Sequence, residues 1–382
     1  MTKLIGDLEA LQSEIITIIQ NLPEKEFRNQ FHPDLSPIGW HLGHCVYIES
    51  YWIREQLLKQ APLEETLRSL YVPEMSIKDE RGNALPDKHA MIEWTRSLQK
   101  ENRLLLENCL NNSTQHHLLE NDFLFHFLIQ HYSQHLETIK MIQTEIQLYK
   151  NIKPDKAITF LTTNDTEQDS IKIPSGNYFI GSDNNHFPYD NEHPKHKITL
   201  NTFEISRLLV SNTEYLAFIN DDGYNRKELW STEGWKWKIK NKIESPHHWR
   251  FDQGWYGINH EGAYSLSPEQ AVYGLSFYEA SAYTNRVNAR LPHEYEWETA
   301  CNEKQLEQTC SVWEWCHNYF HPYPGFVAYP YEGYSAPYFD KQHYVIRGGS
   351  RYTKPAIRRS SFRNYYAADK RHIFAGLRLV YK

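Results

Sequence analysis

Residues 118–149 read LLENDFLFHFLIQHYSQHLETIKMIQTEIQLY, with apolar side chains recurring every three or four positions. This spacing places the apolar side chains along one face of an α-helix. The same spacing recurs in three further segments, residues 4–19, 41–58 and 89–110. Prolines fall between these segments, where they interrupt a helix at little cost. Four long helices, with one longer excursion at residues 70–87, predict an antiparallel four-helix bundle over residues 1–150.

The pattern changes in the second part of the chain. Residues 151–170 are polar and aperiodic, and we expect them to form a linker. Beyond them, regular patterns are few. They predict short strands at residues 171–182 and 196–206. Only residues 212–220 and 276–288 have a helical pattern. The remainder is rich in Gly, Pro, Asn and aromatic residues. We therefore predict an irregular α+β domain over residues 171–382, whose backbone groups are satisfied by turns and side chains.

Composition limits the class of protein. The net charge of −7 over 382 residues argues against nucleic-acid binding, which normally requires a basic surface. No run of about 18 apolar residues exists to span a membrane, and the N-terminus lacks the apolar core of a signal peptide. The five cysteines include no CxxC pair, so a disulfide framework is not expected. These features predict a cytoplasmic protein.

Histidines in two of the predicted helices suggest a metal site. His131 and His135 are four residues apart, which puts both imidazoles on one helix face. A second pair, His41 and His44, opens the helix at residues 41–58, and helices two and four of a bundle can face each other. We favour His44 as the third ligand, with His41 packed or hydrogen-bonded nearby. The alternative is a set of core or surface histidines without a metal.

Three neutral imidazoles leave coordination positions of an ion open for water, thiol or O₂. Imidazole suits iron, zinc, copper and nickel, so the ligand type does not choose the metal. Glu49 and Glu137 are candidates to accept hydrogen bonds from the imidazoles and to orient them.

The motifs around these histidines carry a family resemblance. Ser36-Pro37-Ile38-Gly39-Trp40-His41-Leu42-Gly43-His44, together with His131, His135 and Glu137, resembles the DinB-like domain of the EgtB family of sulfoxide synthases. Residues 173–181 (IPSGNYFIG), 289–298 (ARLPHEYEWE) and 345–350 (VIRGGS) resemble that family's second domain. This second domain is similar to formylglycine-generating enzymes and more distantly to C-type lectins. The resemblance implies an α plus α+β fold, with the helical domain first.

The resemblance also implies an activity. Enzymes of this family bind Fe(II) through three histidines, here His44, His131 and His135, and use O₂ to join a thiol to the imidazole of Nα-trimethylhistidine. The thiol donor would be cysteine or γ-glutamylcysteine, and the pathway ergothioneine biosynthesis. The family uses a tyrosine of the second domain as proton donor, for which we predict Tyr323 and, second, Tyr319.

Substrate contacts follow from the same resemblance. Positions that match the family's histidine-betaine pocket are Gln134, Asn364, Tyr365 and Tyr366. Tyrosine stands where relatives often have Phe, which leaves the methylation state of the histidine open. Arg81 and Arg371 are candidates to clamp a carboxylate of the thiol substrate, because a guanidinium can donate two parallel hydrogen bonds.

Several other functions are compatible with the sequence. Formylglycine-generating enzymes carry a cysteine pair shortly after the RGGS strand, and no cysteine follows Ser350 here, which argues against aldehyde formation. Within the same family, selenoneine formation or an ovothiol-type reaction of histidine with cysteine is an alternative. A DinB-like zinc thiol transferase would use the same three histidines. A non-enzymatic binding protein would hold a structural metal, whose coordination is usually closed.

Overall fold

The computed structural model describes residues 2–112, 114–154, 161–162, 169–183 and 187–382. The chain divides into two compact units, Met1–Lys150 and Asn151–Lys382. Most of the predicted linker at residues 151–170 lies outside the described residues. Within the described ranges, no helix is both long enough and apolar enough to cross a bilayer.

The first unit is helical, as predicted. Its α-helices are α1 (Thr2–Gln20), α2 (Glu24–Arg28), α3 (Ile38–Ser50), α4 (Glu65–Tyr71), α5 (Lys88–Asn111) and α6 (Phe123–Tyr149). Helix α1 packs on α6, and α3 packs on both α5 and α6, which forms the bundle. Fully buried apolar side chains such as Ile15, Leu42, Leu128 and Ile139 fill its centre.

Two features of the first unit differ from the predicted helices. The segment expected as one helix at residues 41–58 begins at Ile38 and continues after Ser50 as a π-helix, Tyr51–Leu57. Apolar spacing over seven residues does not distinguish the wider turn from an α-helix. Helices α2 and α4 were not among the predicted helices, because their five and seven residues are too few for a periodic pattern. Short 3₁₀ turns follow at Pro73–Met75 and His117–Asp122.

The second unit is a sheet-rich α+β structure, as predicted. Its strands are β1 (Ser170–Ile173), β2 (Gly176–Ile180), β3 (His196–Leu200), β4 (Phe203–Ser206), β5 (Trp249–Phe251), β6 (Trp255–Asn259), β7 (Gly262–Ser265), β8 (Ala289–Arg290), β9 (Trp313–Tyr319), β10 (His343–Arg347), β11 (Asn364–Ala367), β12 (Ala375–Gly376) and β13 (Val380–Tyr381). Among the described residues they pair as β1-β4-β13-β8, β11-β10-β9-β12, β2-β3 and β5-β6-β7. Small sheets of short strands explain why only part of this unit showed regular patterns.

The helices of the second unit are α7 (Asn212–Asn220), α8 (Thr232–Asn241), α9 (Phe277–Arg286) and α10 (Glu294–Asn302). The prediction that only residues 212–220 and 276–288 are helical was therefore wrong for α8 and α10. Helix α10 buries Glu294 and Glu298 together with Trp297 and Ala300, so its inward face mixes charged and apolar side chains and gave no helical pattern. The start of α8 carried a local signal, because the Ser231 hydroxyl accepts a hydrogen bond from Gly234 N at 3.0 Å.

Buried ion pairs hold the centre of the second unit together. Glu294 accepts hydrogen bonds from Arg363 Nε at 2.7 Å and Nη2 at 2.8 Å, and Arg347 Nη2 donates to Glu298 at 2.5 Å. A further pair joins Arg378 to Glu314 at 2.7 Å. These charges are fully buried and each has a partner, which is the condition for keeping charge inside a protein.

Candidate metal centre

Three histidines of the first unit converge on one point. Helix α3 supplies His44, and one face of α6 supplies His131 and His135, one turn apart. One ring nitrogen of each histidine lies within 4.8 Å of the corresponding nitrogens of the other two. The Nε2 atoms of His44 and His131 are 3.2 Å apart. The structure thus brings together the three residues that the sequence suggested.

The spacing of these nitrogens suits one ion. Two imidazole nitrogens each about 2.1 Å from a metal and 3.2 Å from each other subtend an angle of about 99°. That angle lies between the ~90° of octahedral and the ~109° of tetrahedral coordination, so it fits a metal without selecting iron or zinc. Two lone pairs facing each other at this distance would repel unless an ion or a proton lies between them.

The tautomer of His44 is fixed by the backbone. Its Nδ1 lies 2.7 Å from the main-chain oxygen of Tyr71, which can only accept, so Nδ1 carries the proton and Nε2 keeps its lone pair. Tyr71 ends α4, where helix carbonyls lack partners within the helix. The neighbouring carbonyl of Leu70 accepts from Trp40 Nε1 at 2.7 Å. Residue type gives no signal for such a main-chain acceptor, and sequence reasoning missed it.

Burial keeps the cluster neutral. It lowers the pKa of His44 to about 4, with Arg81 adding to the effect, and the pKa of His41 to about 3, with His44 and Arg81 adding. Burial, followed by the neighbouring imidazoles, places the pKa values of His131 and His135 well below the usual range. Neutral imidazoles have the lone pairs that a metal requires.

His41 takes a different position from His44. It is buried, and its Nδ1 lies 2.9 Å from His135 Nδ1. The three nitrogens that cluster closely enough for one ion belong to His44, His131 and His135.

Arg81 lies near this cluster in the first unit. Its guanidinium is 4.1 Å from the ring of Trp40, and that ring stacks on His44 at 4.7 Å. Arg81 donates to Ser36 Oγ at 2.6 Å, Ser76 Oγ at 2.9 Å and the Pro73 carbonyl at 2.7 Å. Most of its N–H groups are therefore engaged by neutral oxygens within the unit.

The two predicted carboxylate acceptors of the first unit are buried. Glu49 accepts from Tyr132 Oη at 2.6 Å, Gln12 Nε2 at 2.8 Å and Asn102 Nδ2 at 3.0 Å. Burial raises the pKa of Glu49 to about 7 although these hydrogen bonds oppose the shift. Since Tyr132 adjoins His131, Glu49 braces α6 at the metal-binding turn without contacting the imidazoles through these bonds. Gln134, one residue before His135, is half-buried.

The two candidate tyrosines of the second unit have opposite surroundings. Tyr323 is fully buried, with its hydroxyl 3.5 Å from Glu294 Oε2 and the Arg363 guanidinium 4.0 Å from its ring. Burial and the charge of Glu294 place the pKa of Tyr323 well above its usual range. Tyr319 is 43% exposed at the end of β9, and its ring lies 4.5 Å from Tyr344.

The predicted pocket residues of strand β11 lie on its two opposite faces. Adjacent side chains of a strand point to opposite faces, so Asn364 and Tyr366 share one face and Tyr365 the other. Tyr365 stacks on Phe320 at 4.2 Å, and its hydroxyl donates to the Tyr334 carbonyl at 3.0 Å. Tyr365 thus packs into the unit, and the opposite face carries Asn364 and Tyr366.

Arg371 is engaged inside the second unit. Its Nε and Nη2 donate to the two oxygens of buried Glu279 at 2.8 and 2.9 Å. The two N–H groups of Arg371 that could bind a substrate carboxylate therefore already donate to Glu279.

Comparisons with known proteins agree with both units. The model of the DinB superfamily matches residues 7–139, and that of the sulfatase-modifying factor enzyme 1-like domain matches residues 158–311 and 306–382. The chain is 28% identical to the hercynine oxygenase of Mycolicibacterium smegmatis, over 99% of this chain and 98% of that protein. It is 26% identical to the hercynine oxygenase of Mycolicibacterium thermoresistibile, over 94% and 90% respectively.

A third relative is fungal. The ergothioneine biosynthesis protein 1 of Schizosaccharomyces pombe is 27% identical over 51% of this chain and 28% of its own length. The matches to the two domain models follow each other in the order of the two structural units. The chain therefore belongs to the sulfatase-modifying factor enzyme 1-like family and, with its DinB domain in front, to the EgtB-like proteins that combine the two domains.

Proposed function

We propose that this protein is a non-haem iron(II) oxygenase of ergothioneine biosynthesis that joins a cysteine-type thiol to the imidazole ring of Nα-trimethylhistidine. The observation that carries the proposal is the cluster of His44, His131 and His135, in which one ring nitrogen of each residue lies within 4.8 Å of those of the other two. Support comes from the hercynine oxygenases, which are similar over nearly the whole chain. Hercynine is the trimethyl betaine of histidine.

The reaction balances with O₂ as the only oxidant. The thiol and the imidazole carbon each lose one hydrogen, a C–S bond forms, one oxygen atom ends on sulfur as a sulfoxide, and the other leaves as water. Fe(II) would supply the binding of thiolate and O₂ at the positions that three histidines leave open. His44 fits the role of an iron ligand because its Nδ1–H donates to the Tyr71 carbonyl, which leaves the lone pair of Nε2 free.

The proposed substrate contacts remain those suggested by the family. A quaternary ammonium cannot donate a hydrogen bond, so it is recognised by aromatic faces, which Tyr366 offers beside Asn364 on β11. Gln134 lies between the two α6 ligands and is proposed to contact the histidine substrate. Arg81 and Arg371 are proposed for the carboxylate of the thiol, although their present partners would have to be exchanged for that carboxylate.

A proton donor completes the proposal. Tyr323 and Tyr319 are the two candidates, and exposure supports Tyr319, because a buried phenol bonded to Glu294 cannot reach a substrate without rearrangement. A donor near the oxidant would favour C–S bond formation over simple oxidation of the thiol.

The test is an anaerobic reconstitution with Fe(II), followed by O₂, Nα-trimethylhistidine and either cysteine or γ-glutamylcysteine. We expect a sulfoxide adduct, detected by mass, with one of the two thiols. His135→Ala should abolish it, and His89→Ala should not, because His89 is 82% exposed on α5 and outside the cluster.

Parallel arms separate the alternatives. An adduct with unmethylated histidine, or with a selenium donor only, would move the assignment to an ovothiol-type or selenoneine reaction. A purified protein that holds zinc and forms no adduct under any of these conditions would refute the oxygenase and favour a DinB-like zinc thiol transferase.

A further inference from the structure

The contact between His41 and His135 has a direction that metal binding determines. The two Nδ1 atoms are 2.9 Å apart, a hydrogen-bond distance, and a neutral imidazole has one donor and one acceptor nitrogen. Only one of the two facing nitrogens can therefore carry the proton.

Two arrangements are possible, and only one suits a metal at the centre. If His41 donates, the proton of His135 is on Nε2, and His135 has no lone pair left for an ion. If His135 donates from Nδ1, its Nε2 is free to bind a metal and His41 becomes the acceptor. Metal binding and the direction of this hydrogen bond are thus coupled.

We propose that His41 is a positioning residue, which accepts a hydrogen bond from His135 Nδ1 and so holds the His135 ring with Nε2 toward the metal centre. This inference rests on the metal centre of the proposed function. It goes further because it assigns an acceptor to the Nδ1–H of His135. The Tyr71 carbonyl is the corresponding acceptor for the Nδ1–H of His44.

The position of His41 fits an acceptor for His135. Its side chain is buried on α3, one helical turn before His44. A neutral acceptor orients His135 without adding negative charge beside the ion.

Metal affinity tests the inference without relying on turnover. The full-length protein would be titrated anaerobically with Co(II), following its visible absorption and competition with a chelator. His41→Asn keeps an acceptor oxygen near the place of Nδ1. His41→Leu removes the acceptor, and His41→Gln keeps a polar side chain but moves the oxygen one bond outward. His89→Leu is the control for loss of an exposed histidine.

We expect His41→Leu and His41→Gln to weaken Co(II) binding about 10- to 100-fold and to alter the absorption bands. His41→Asn and His89→Leu should remain close to wild type in both readouts. Thermal unfolding of the metal-free variants shows whether each is folded. If His41→Leu does not fold, comparing the Co(II) affinities of His41→Asn and His41→Gln still tests the inference.

Unchanged affinity and bands in folded His41→Leu or His41→Gln would overturn the inference. So would a folded His41→Asn that binds as weakly as they do. A wild type that binds no Co(II) would overturn both this inference and the proposed metal centre. Normal Co(II) binding with the expected variant pattern, but no sulfoxide product from the iron form, would overturn the proposed function alone.

Discussion

Replacing Glu294 by glutamine should destabilise the second unit strongly at neutral pH. The carboxylate is fully buried and receives both N–H groups of the Arg363 fork at 2.7 and 2.8 Å. Asn318 Nδ2 donates to it at 3.0 Å, and Arg347 Nη1 lies 3.5 Å away. Glutamine is nearly isosteric but neutral, so the substitution leaves the Arg363 charge buried without its counter-charge.

The burial of the ion pair and the lowered pKa of Glu294 both indicate a loss of stability in the variant. Removing one partner of a buried ion pair costs about 3–5 kcal/mol in the free energy of unfolding. Although burial opposes the shift, Arg363 and Arg347 lower the pKa of Glu294 to about 2, from an ordinary value of 4.5. That difference corresponds to about 3 kcal/mol of stability for the ionised form.

The sign of the pH dependence follows from the lowered pKa. A carboxyl group whose folded pKa lies below its unfolded value contributes stability above the unfolded pKa. The contribution disappears as the pH falls from about 4.5 toward about 2. The difference between wild type and Glu294→Gln should therefore be full at pH 7 and shrink across this window, because the variant has no carboxylate to protonate.

Urea unfolding followed by tryptophan fluorescence measures the effect between pH 3 and pH 7, with the transitions of the two units fitted separately. Glu303→Gln is the matched control, because this exposed glutamate directly follows α10 and should change stability by less than about 0.5 kcal/mol. A Glu294→Gln loss below about 1 kcal/mol at pH 7, or a difference that does not shrink with acid, would refute the reasoning.

Two further predictions concern the proposed metal centre and the proton donor. Gly43→Ala would place a Cβ 2.1 Å from the buried Tyr71 ring, and we expect a loss of about 1–3 kcal/mol in thermal unfolding. Gly6→Ala, with nothing within 4 Å of its Cβ, should instead stabilise α1 by up to about 1 kcal/mol, and equal effects would contradict the steric argument. Tyr319→Phe should lower the yield of sulfoxide adduct relative to O₂ consumed while leaving the melting temperature unchanged. Tyr323→Phe should mainly lower the melting temperature, and the reverse pattern would make Tyr323 the donor.

The sequence predicted those parts of the fold that rest on repeating apolar contacts. Helices α1, α5 and α6 are long, with one apolar face, and local periodicity is enough to identify them. Helix α10 could not be found in this way, because its buried glutamates are stabilised by arginines far along the chain, Arg363 and Arg347. A charged residue has the same appearance in a sequence whether it faces water or a buried partner.

The sequence predicted the histidines of the candidate metal centre from their residue type and spacing, since two imidazoles four residues apart in a helix share one face. The proposed family and activity were suggested by motifs as well. The geometry was decided only by the tertiary structure. Packing α3 against α6 placed His44 beside His131 and His41 beside His135, and the end of α4 supplied the carbonyl for His44. These contacts join residues distant in sequence through main-chain oxygens and ring nitrogens, and no local pattern of residue types specifies which of them will meet.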